Sequence, residues 1–127
     1  MARILAVDDD PRVRRFVRQT LRAEGHDVIA VADAESAIAQ LLSARPDLFL
    51  LDINLPGMNG IALAQKLREQ RGTQSIPVII LSVRTDPHDK VAAYASGAVT
   101  YLEKPFKKSD LVNAVRLGLR IGARDRA

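Results

Sequence analysis

Residues 47–52 read DLFLLD, a short apolar run that ends in a carboxylate. A run without polar interruptions is typical of a strand buried on both faces of a parallel sheet. Comparable apolar runs predict strands at residues 3–8, 27–31, 77–82 and 99–103. Segments with apolar residues at helical spacing follow each strand and predict five helices. These helices run from Pro11 up to Gly25 and over about residues 34–43, 61–70, 87–96 and 107–121.

Strands that alternate with helices of this length indicate a parallel sheet with helices on both faces, the doubly wound α/β class. The 127 residues suit one domain, and the apolar content of 47% and charged content of 27% are values of a globular protein. We assign residues 1–121 to the domain and residues 122–127 to a tail or the stub of a linker. Ligands of such folds bind at the carboxyl ends of the strands.

Cysteine usage and hydropathy exclude several classes of protein. The chain contains no cysteine, so disulfides, zinc-thiolate centres and cysteine nucleophiles are excluded. The longest apolar runs are too short for a signal peptide or a membrane span. We therefore expect a soluble cytoplasmic protein without a membrane partner.

The formal net charge of +4 comes partly from arginines in the first predicted helix and near the C-terminus. Direct nucleic-acid binding is disfavoured, because aromatic residues are only 4% of the chain and no reader motif is present. Arginines on an amphipathic helix are usually a solvated face, and an acidic protein partner is the favoured use of the charge. The arginines are Arg12, Arg14, Arg15, Arg18 and Arg22 in the helix, and Arg116, Arg120, Arg124 and Arg126 near the C-terminus.

Polar side chains stand where four of the predicted strands end. Asp8 and Asp9 follow the first strand, Asp52 ends the third, Ser82 ends the fourth and Lys104 follows the fifth. We expect them to meet at one edge of the sheet. Three clustered carboxylates stay ionised only when they share a cation, and oxygen ligands of this kind suit Mg²⁺. With an ammonium group facing them, the cluster indicates a metal-assisted phosphoryl site.

Four motifs in order now support a resemblance. They are VDDD at residues 7–10, LDINLPGMNG at 51–60, LS at 81–82, and GA at 97–98 followed by YLEKPF at 101–106. Together they resemble the response-regulator receiver domain of two-component signalling, over residues 3 to about 120. The resemblance implies a flavodoxin-like (βα)5 fold with strand order 2-1-3-4-5.

The resemblance also implies roles for the residues that match these motifs. Asp52 matches the phosphoacceptor, and Asp8 and Asp9 match the acidic pair that binds Mg²⁺ together with Asp52 and the main-chain carbonyl of Asn54. Lys104 matches the lysine that contacts the phosphoryl group and would begin a cis peptide with Pro105. Asp10 is not part of the pair and is interpreted as the cap of the first helix.

Further matched positions concern switching. Ser82 matches the hydroxyl that hydrogen-bonds the phosphoryl group, and Tyr101 matches the aromatic residue that changes rotamer with it. Asn54 and Arg84 occupy positions that resemble those tuning the lifetime of the phosphoryl group. The face formed by the fourth helix, fifth strand and fifth helix, about residues 87–119, is the implied output surface.

Partners follow from the same resemblance. A histidine kinase or histidine phosphotransfer protein would donate the phosphoryl group and dock near the arginines of the first helix. The output would be a downstream protein, or an output domain of a longer regulator that could bind DNA, while this domain itself would not bind nucleic acid. The resemblance is also compatible with a homodimer formed on phosphorylation.

The leading interpretation is a phosphorylated signalling module that is not an enzyme, although it assists its own phosphoryl transfer and dephosphorylation. Two alternatives remain, a phosphatase and an electron carrier. A phosphatase of the aspartyl-phosphate type usually has a second aspartate two residues after the nucleophile, where this chain has Asn54, which cannot do acid-base work. A flavodoxin-like electron carrier needs a phosphate-binding loop after the first strand, and Asp8, Asp9 and Asp10 would repel a cofactor phosphate.

Overall fold

The computed structural model describes residues 2–83 and 87–126, the last three of them as backbone only. Five strands alternate with five helices, as the sequence predicts. The strands are β1 (Arg3–Val7), β2 (Asp27–Val31), β3 (Leu48–Asp52), β4 (Val78–Ser82) and β5 (Thr100–Glu103). The helices are α1 (Pro11–Ala23), α2 (Ala34–Leu41), α3 (Gly60–Glu69), α4 (Pro87–Ala95) and α5 (Lys108–Arg126).

The five strands form one parallel sheet in the order β2-β1-β3-β4-β5. The doubly wound architecture and its strand order are therefore confirmed. Since the order reverses direction beside β1, the carboxyl ends of β1 and β3 lie next to each other, at the point where such sheets place their ligands. The register pairs Val7 with Leu51 and Asp52 with Leu81, which puts these strand ends at the same level.

Two hydrophobic layers cover the sheet, because successive side chains of a strand point to opposite faces. In β3, Phe49 and Leu51 belong to the layer under α2, α3 and α4, whereas Leu48 and Leu50 belong to the layer under α1 and α5. All four side chains are at most 1% exposed, so both faces of the central strand are dry. This two-sided burial explains the uninterrupted apolar run.

Capping residues fix the first turns of the helices that follow β1 and β3. Asp10 accepts a hydrogen bond from the main-chain N–H of Arg12 at 2.9 Å and precedes Pro11 at the first helical position of α1. Its interpretation as a cap is confirmed. Asn59 caps α3 in the same way, accepting from the N–H of Ala62 at 2.8 Å.

The last helix is longer than predicted. We expected it to end near residue 121, with residues 122–127 beyond it, but α5 continues to Arg126. Gly118 and Gly122 are four residues apart and both are buried. A Cβ at Gly118 would lie 2.8 Å from Leu48 Cδ1, so this glycine permits close packing of α5 on the sheet. The assignment of residues 122–127 to a tail or linker stub stays a prediction.

Within the described residues, none of the helices is both long and apolar enough to cross a membrane.

Candidate functional site

The carboxyl ends of the strands bring the predicted polar side chains together. Asp8, Asp9 and Asp52 each offer a carboxylate oxygen, and these oxygens all lie within 4.8 Å of one another. Asp8 and Asp52 are only 1% and 2% exposed, whereas Asp9 is exposed. The expected acidic cluster therefore exists, with two buried carboxylates and one that faces solvent.

Lys104 lies directly against the two buried carboxylates. Its Nζ is 2.6 Å from Asp8 Oδ2 and 3.4 Å from Asp52 Oδ1, and its side chain is 13% exposed. The Lys104–Pro105 peptide is cis, as expected, and the main-chain N–H of Lys104 donates to the carbonyl of Ser82 at 2.6 Å. The main-chain hydrogen bond holds the backbone of Lys104 beside the end of β4, and the ammonium group neutralises part of the charge of the cluster.

The electrostatics of Asp52 reflect its burial. Loss of solvation raises the pKa of Asp52 from 3.8 to about 6, and the negative charge of Asp8 adds to the increase. The ammonium of Lys104 and the main-chain N–H of Asn54, which hydrogen-bonds the carboxylate, act in the opposite direction. One lysine therefore compensates the buried charge only in part.

The oxygens of the cluster fit a divalent cation. Asp8 Oδ2 and Asp52 Oδ1 are buried, and among the described residues the ammonium of Lys104 is their partner. Carboxylate oxygens with unused lone pairs, one of them open to water, form the donor set of a hard cation that keeps several waters. The cluster could bind a metal ion.

An apolar depression lies beside this cluster. Val13 and Phe16 of α1 line it together with Val83, Pro105 and Phe106, and it encloses about 400 Å³. The rings of Phe16 and Phe106 pack edge to face, with centroids 5.9 Å apart. A partner that reaches the acidic cluster would therefore meet apolar surface around it.

Comparison with known proteins agrees with this geometry. Residues 4–116 match the family model described as the response regulator receiver domain. The chain belongs to the response regulator receiver family. The DNA-binding response regulator MtrA of Mycolicibacterium smegmatis is 44% identical over 118 residues, which are 93% of this chain and 50% of that protein.

Solved structures show the same receiver fold. The chemotaxis response regulator CheY4 of Vibrio cholerae has a TM-score of 0.87 at 34% identity, covering 95% of this chain and 98% of that one. NtrX from Brucella abortus has a TM-score of 0.92 at 34% identity, covering 98% of this chain but 28% of that one. This receiver spans about half the length of the curated relatives it matches.

The remaining predicted positions of the receiver are placed as follows. Ser82 is the last residue of β4 and is buried, and Tyr101 lies in β5, half-buried, with Lys90 Nζ 5.9 Å from its ring centroid. The side chain of Asn54 is exposed. Arg84 lies outside the described residues. The structure leaves the roles of all four as predictions.

Apolar side chains are exposed on the implied output surface of the receiver. Val91 and Tyr94 of α4 are 69% and 51% exposed, and Leu117 of α5 is 43% exposed. Large exposed apolar side chains on neighbouring elements are a common feature of protein-binding surfaces. The location agrees with the face that the family resemblance implies.

The arginines of α1 differ from the uniform solvated face that we predicted. Arg12, Arg15 and Arg22 are exposed and Arg14 is half-buried, but Arg14 donates to the main-chain carbonyl of Asp8 at 2.8 Å and Arg22 donates to that of Val28 at 3.0 Å. Two of these side chains therefore bind main-chain carbonyls, one just beyond β1 and one in β2. Helical spacing could not reveal this, because the acceptors are main-chain atoms outside the helix.

Gly60 is a second residue whose importance the sequence did not show. A Cβ at this position would lie 1.9 Å from the carbonyl oxygen of Asp52, so only glycine lets α3 approach the end of β3 this closely. The N–H of Gly60 also donates to the carbonyl of Ile53 at 2.9 Å. The start of α3 therefore supports the backbone that presents Asp52.

Proposed function

We propose that this receiver accepts a phosphoryl group on Asp52 and holds Mg²⁺ with Asp8, Asp9, Asp52 and the main-chain carbonyl of Asn54. The observation that supports it most is the pair of buried carboxylates, each with one oxygen, Asp8 Oδ2 and Asp52 Oδ1, whose partner among the described residues is the shared ammonium group of Lys104. Such a cluster is costly to fold unless a further cation compensates its negative charge.

The proposed reaction is an in-line transfer. A carboxylate oxygen of Asp52 attacks the phosphorus of a phosphohistidine, the P–N bond breaks, and an acyl phosphate forms while the imidazole nitrogen keeps the bonding pair. Bound Mg²⁺ supplies charge neutralisation for the oxygens of the transferred group. Lys104 adds a positive charge at the same place, and burial of Asp52 keeps the site dry enough for both charges to act strongly.

Switching is proposed to begin when the ammonium group of Lys104 exchanges Asp8 for the phosphoryl group as its partner. An acyl phosphate on Asp52 presents new anionic oxygens that compete with Asp8 for the ammonium group, and the hydroxyl of Ser82 would donate to them. Tyr101 would then change rotamer, altering the α4–β5–α5 face. The module is not an enzyme acting on other molecules, although it assists its own phosphorylation and dephosphorylation. Asn54 and Arg84 are proposed to set the phosphoryl lifetime.

Transfer from acetyl phosphate tests the metal requirement. Wild-type protein should be phosphorylated with Mg²⁺ and not with EDTA, and Asp9→Asn should need at least about tenfold more Mg²⁺ for the same rate. Asp9 is exposed, so this variant is expected to fold normally. Equal rates with Mg²⁺ and EDTA would refute a metal site.

The donor is proposed to be a histidine kinase or a histidine phosphotransfer protein. The apolar depression beside Lys104 is lined partly by Arg12, and Arg15 is exposed three residues farther along α1. This combination suits a partner helix with apolar and acidic residues next to its phosphohistidine. Phosphoryl exchange with such kinases would place the protein in the cytoplasm.

Charge reversal at Arg15 tests this docking surface. The donor is a phosphotransfer protein that phosphorylates the wild type. Arg15→Glu should slow transfer from this donor about tenfold, because steering by complementary charge is lost. Transfer from acetyl phosphate should be unchanged. Arg120→Glu, an exposed arginine twelve residues beyond the start of α5, is the control and should alter neither rate. Equal slowing with both donors would contradict docking at Arg15.

The output is proposed to be either a downstream protein or a domain joined to the C-terminal end of α5. The match to about half of MtrA supports a receiver that belongs to a longer, DNA-binding regulator, with residues 1–121 as the receiver and 122–127 as the start of a linker. Nucleic acid would then be bound by that second domain. A homodimer through the exposed α4–β5–α5 face is compatible with either arrangement.

A further inference from the structure

Arg14 joins the first turn of α1 to the end of β1. Its guanidinium Nη1 donates to the main-chain carbonyl of Asp8 at 2.8 Å, and the contact is partly buried. A hydrogen bond from a charged donor to a carbonyl is about twice as strong as a neutral one. The contact therefore fixes a carbonyl that belongs to the peptide unit between Asp8 and Asp9.

Three consecutive peptide units of this loop are anchored. The N–H of Asp8 donates to the carbonyl of Val31 at 3.0 Å, and the N–H of Asp10 donates to Asp8 Oδ1 at 2.9 Å. Arg14 anchors the unit between them. Because a peptide unit is planar, fixing its oxygen restricts the backbone angles on both sides and hence the direction of the Asp9 side chain.

We propose that Arg14 is a positioning residue for the metal site, which it serves by holding the Asp8–Asp9 peptide in the orientation that turns the carboxylate of Asp9 toward those of Asp8 and Asp52. Asp9 needs such support most, since it is exposed whereas the other two carboxylates are buried. This inference rests on the proposed Mg²⁺ site.

Electrostatics and positioning predict opposite effects of removing Arg14. Loss of a positive charge near a cation site should strengthen Mg²⁺ binding, because repulsion decreases. Loss of the anchor should weaken it, because an ordering cost is added to binding. The direction of the change in Mg²⁺ affinity therefore separates the two roles.

The test is the dissociation constant of Mg²⁺, measured by calorimetry on wild type, Arg14→Gln, Arg14→Lys and Arg15→Gln. Arg14→Gln should bind Mg²⁺ about tenfold more weakly, the size of effect that loss of an outer-shell partner produces. Arg15→Gln removes the same charge from an exposed neighbour and should bind as tightly as wild type or slightly more tightly. Arg14→Lys retains the charge and one donor and should lie between wild type and Arg14→Gln.

Thermal unfolding of each of the four proteins is also measured in EDTA. Mg²⁺ affinities are then compared only among those that are folded. Unchanged or tighter Mg²⁺ binding by Arg14→Gln overturns the inference, as does weaker binding by Arg14→Lys than by Arg14→Gln. Failure of the wild type to bind Mg²⁺ would instead refute the proposed metal site itself, so the two failures are distinguishable.

Discussion

Replacing Lys104 by methionine is expected to destabilise the metal-free protein by about 3 kcal/mol, because it leaves two buried carboxylates without their cation. Asp8 Oδ2 and Asp52 Oδ1 lie 2.6 Å and 3.4 Å from Lys104 Nζ, and both side chains are at most 3% exposed. Methionine fills a similar volume, so the loss reports charge rather than packing. The measurement is urea unfolding in EDTA.

Two further measurements test whether the loss of stability comes from the missing positive charge of Lys104. Lys108→Met removes an exposed lysine and should change the free energy of unfolding by less than about 0.5 kcal/mol. Saturating Mg²⁺ should restore much of the stability of Lys104→Met, since a bound cation would replace the ammonium group. A loss below about 1 kcal/mol in EDTA would show that Lys104 does not hold the cluster together.

The second large effect is a gain in stability. Asp52→Asn should raise the free energy of unfolding of the metal-free protein by about 2 kcal/mol at pH 8, because an amide removes the buried charge of Asp52. The pKa of Asp52 is raised from 3.8 to about 6, chiefly by burial, so the folded state disfavours the ionised carboxylate. A residue that destabilises the fold in this way is expected where function requires the charge.

The gain should depend on pH in a defined direction. Above pH 6 the carboxylate of Asp52 is ionised in both the folded and the unfolded state. The folded state then bears the full free-energy cost of burying the ionised carboxylate. Between pH 6 and pH 4 the folded state retains a proton that the unfolded state has released, so the cost declines. The advantage of Asp52→Asn should therefore fall below about 1 kcal/mol near pH 4.

Unfolding curves of wild type and Asp52→Asn in EDTA at pH 4, 6 and 8 measure this dependence. Asp27→Asn, a change at an exposed carboxylate of β2, should follow the wild type at each pH. A variant no more stable than wild type at pH 8 would mean that Asp52 is not destabilised by its surroundings. Added Mg²⁺ should reduce the difference in free energy of unfolding between Asp52→Asn and wild type, because Mg²⁺ favours the ionised carboxylate of Asp52 in the wild type.

Much of the fold could be predicted because burial on both faces produces a sequence signature. The run at 48–51 is apolar without a break, since its side chains enter both hydrophobic layers. Turn and capping residues such as Asp10, Pro11 and Gly25 then fixed the start and end of α1 closely. The end of α5 could not be predicted, because a buried glycine within a helix, such as Gly122, looks the same in sequence as one that ends a helix.

The side chains of the site could be predicted because each stands at a strand end, and parallel strands align those ends. This alignment of strand ends predicts that Asp8, Asp9, Asp52 and Lys104 lie together, as they do. It could not reveal that Lys104 lies closer to Asp8 than to Asp52, or that Arg14 binds the carbonyl of Asp8. Both depend on side-chain rotamers and main-chain acceptors, which have no pattern in the sequence.

Phosphorylation of Asp52 in the presence of Mg²⁺ is tested by intact mass after incubation with acetyl phosphate, for wild type and Asp52→Asn, each with Mg²⁺ and with EDTA. We predict one phosphoryl adduct on the wild type with Mg²⁺ and none in the other three samples. An adduct of equal yield on Asp52→Asn would refute Asp52 as the phosphoacceptor, and one of equal yield on the wild type in EDTA would refute the need for Mg²⁺.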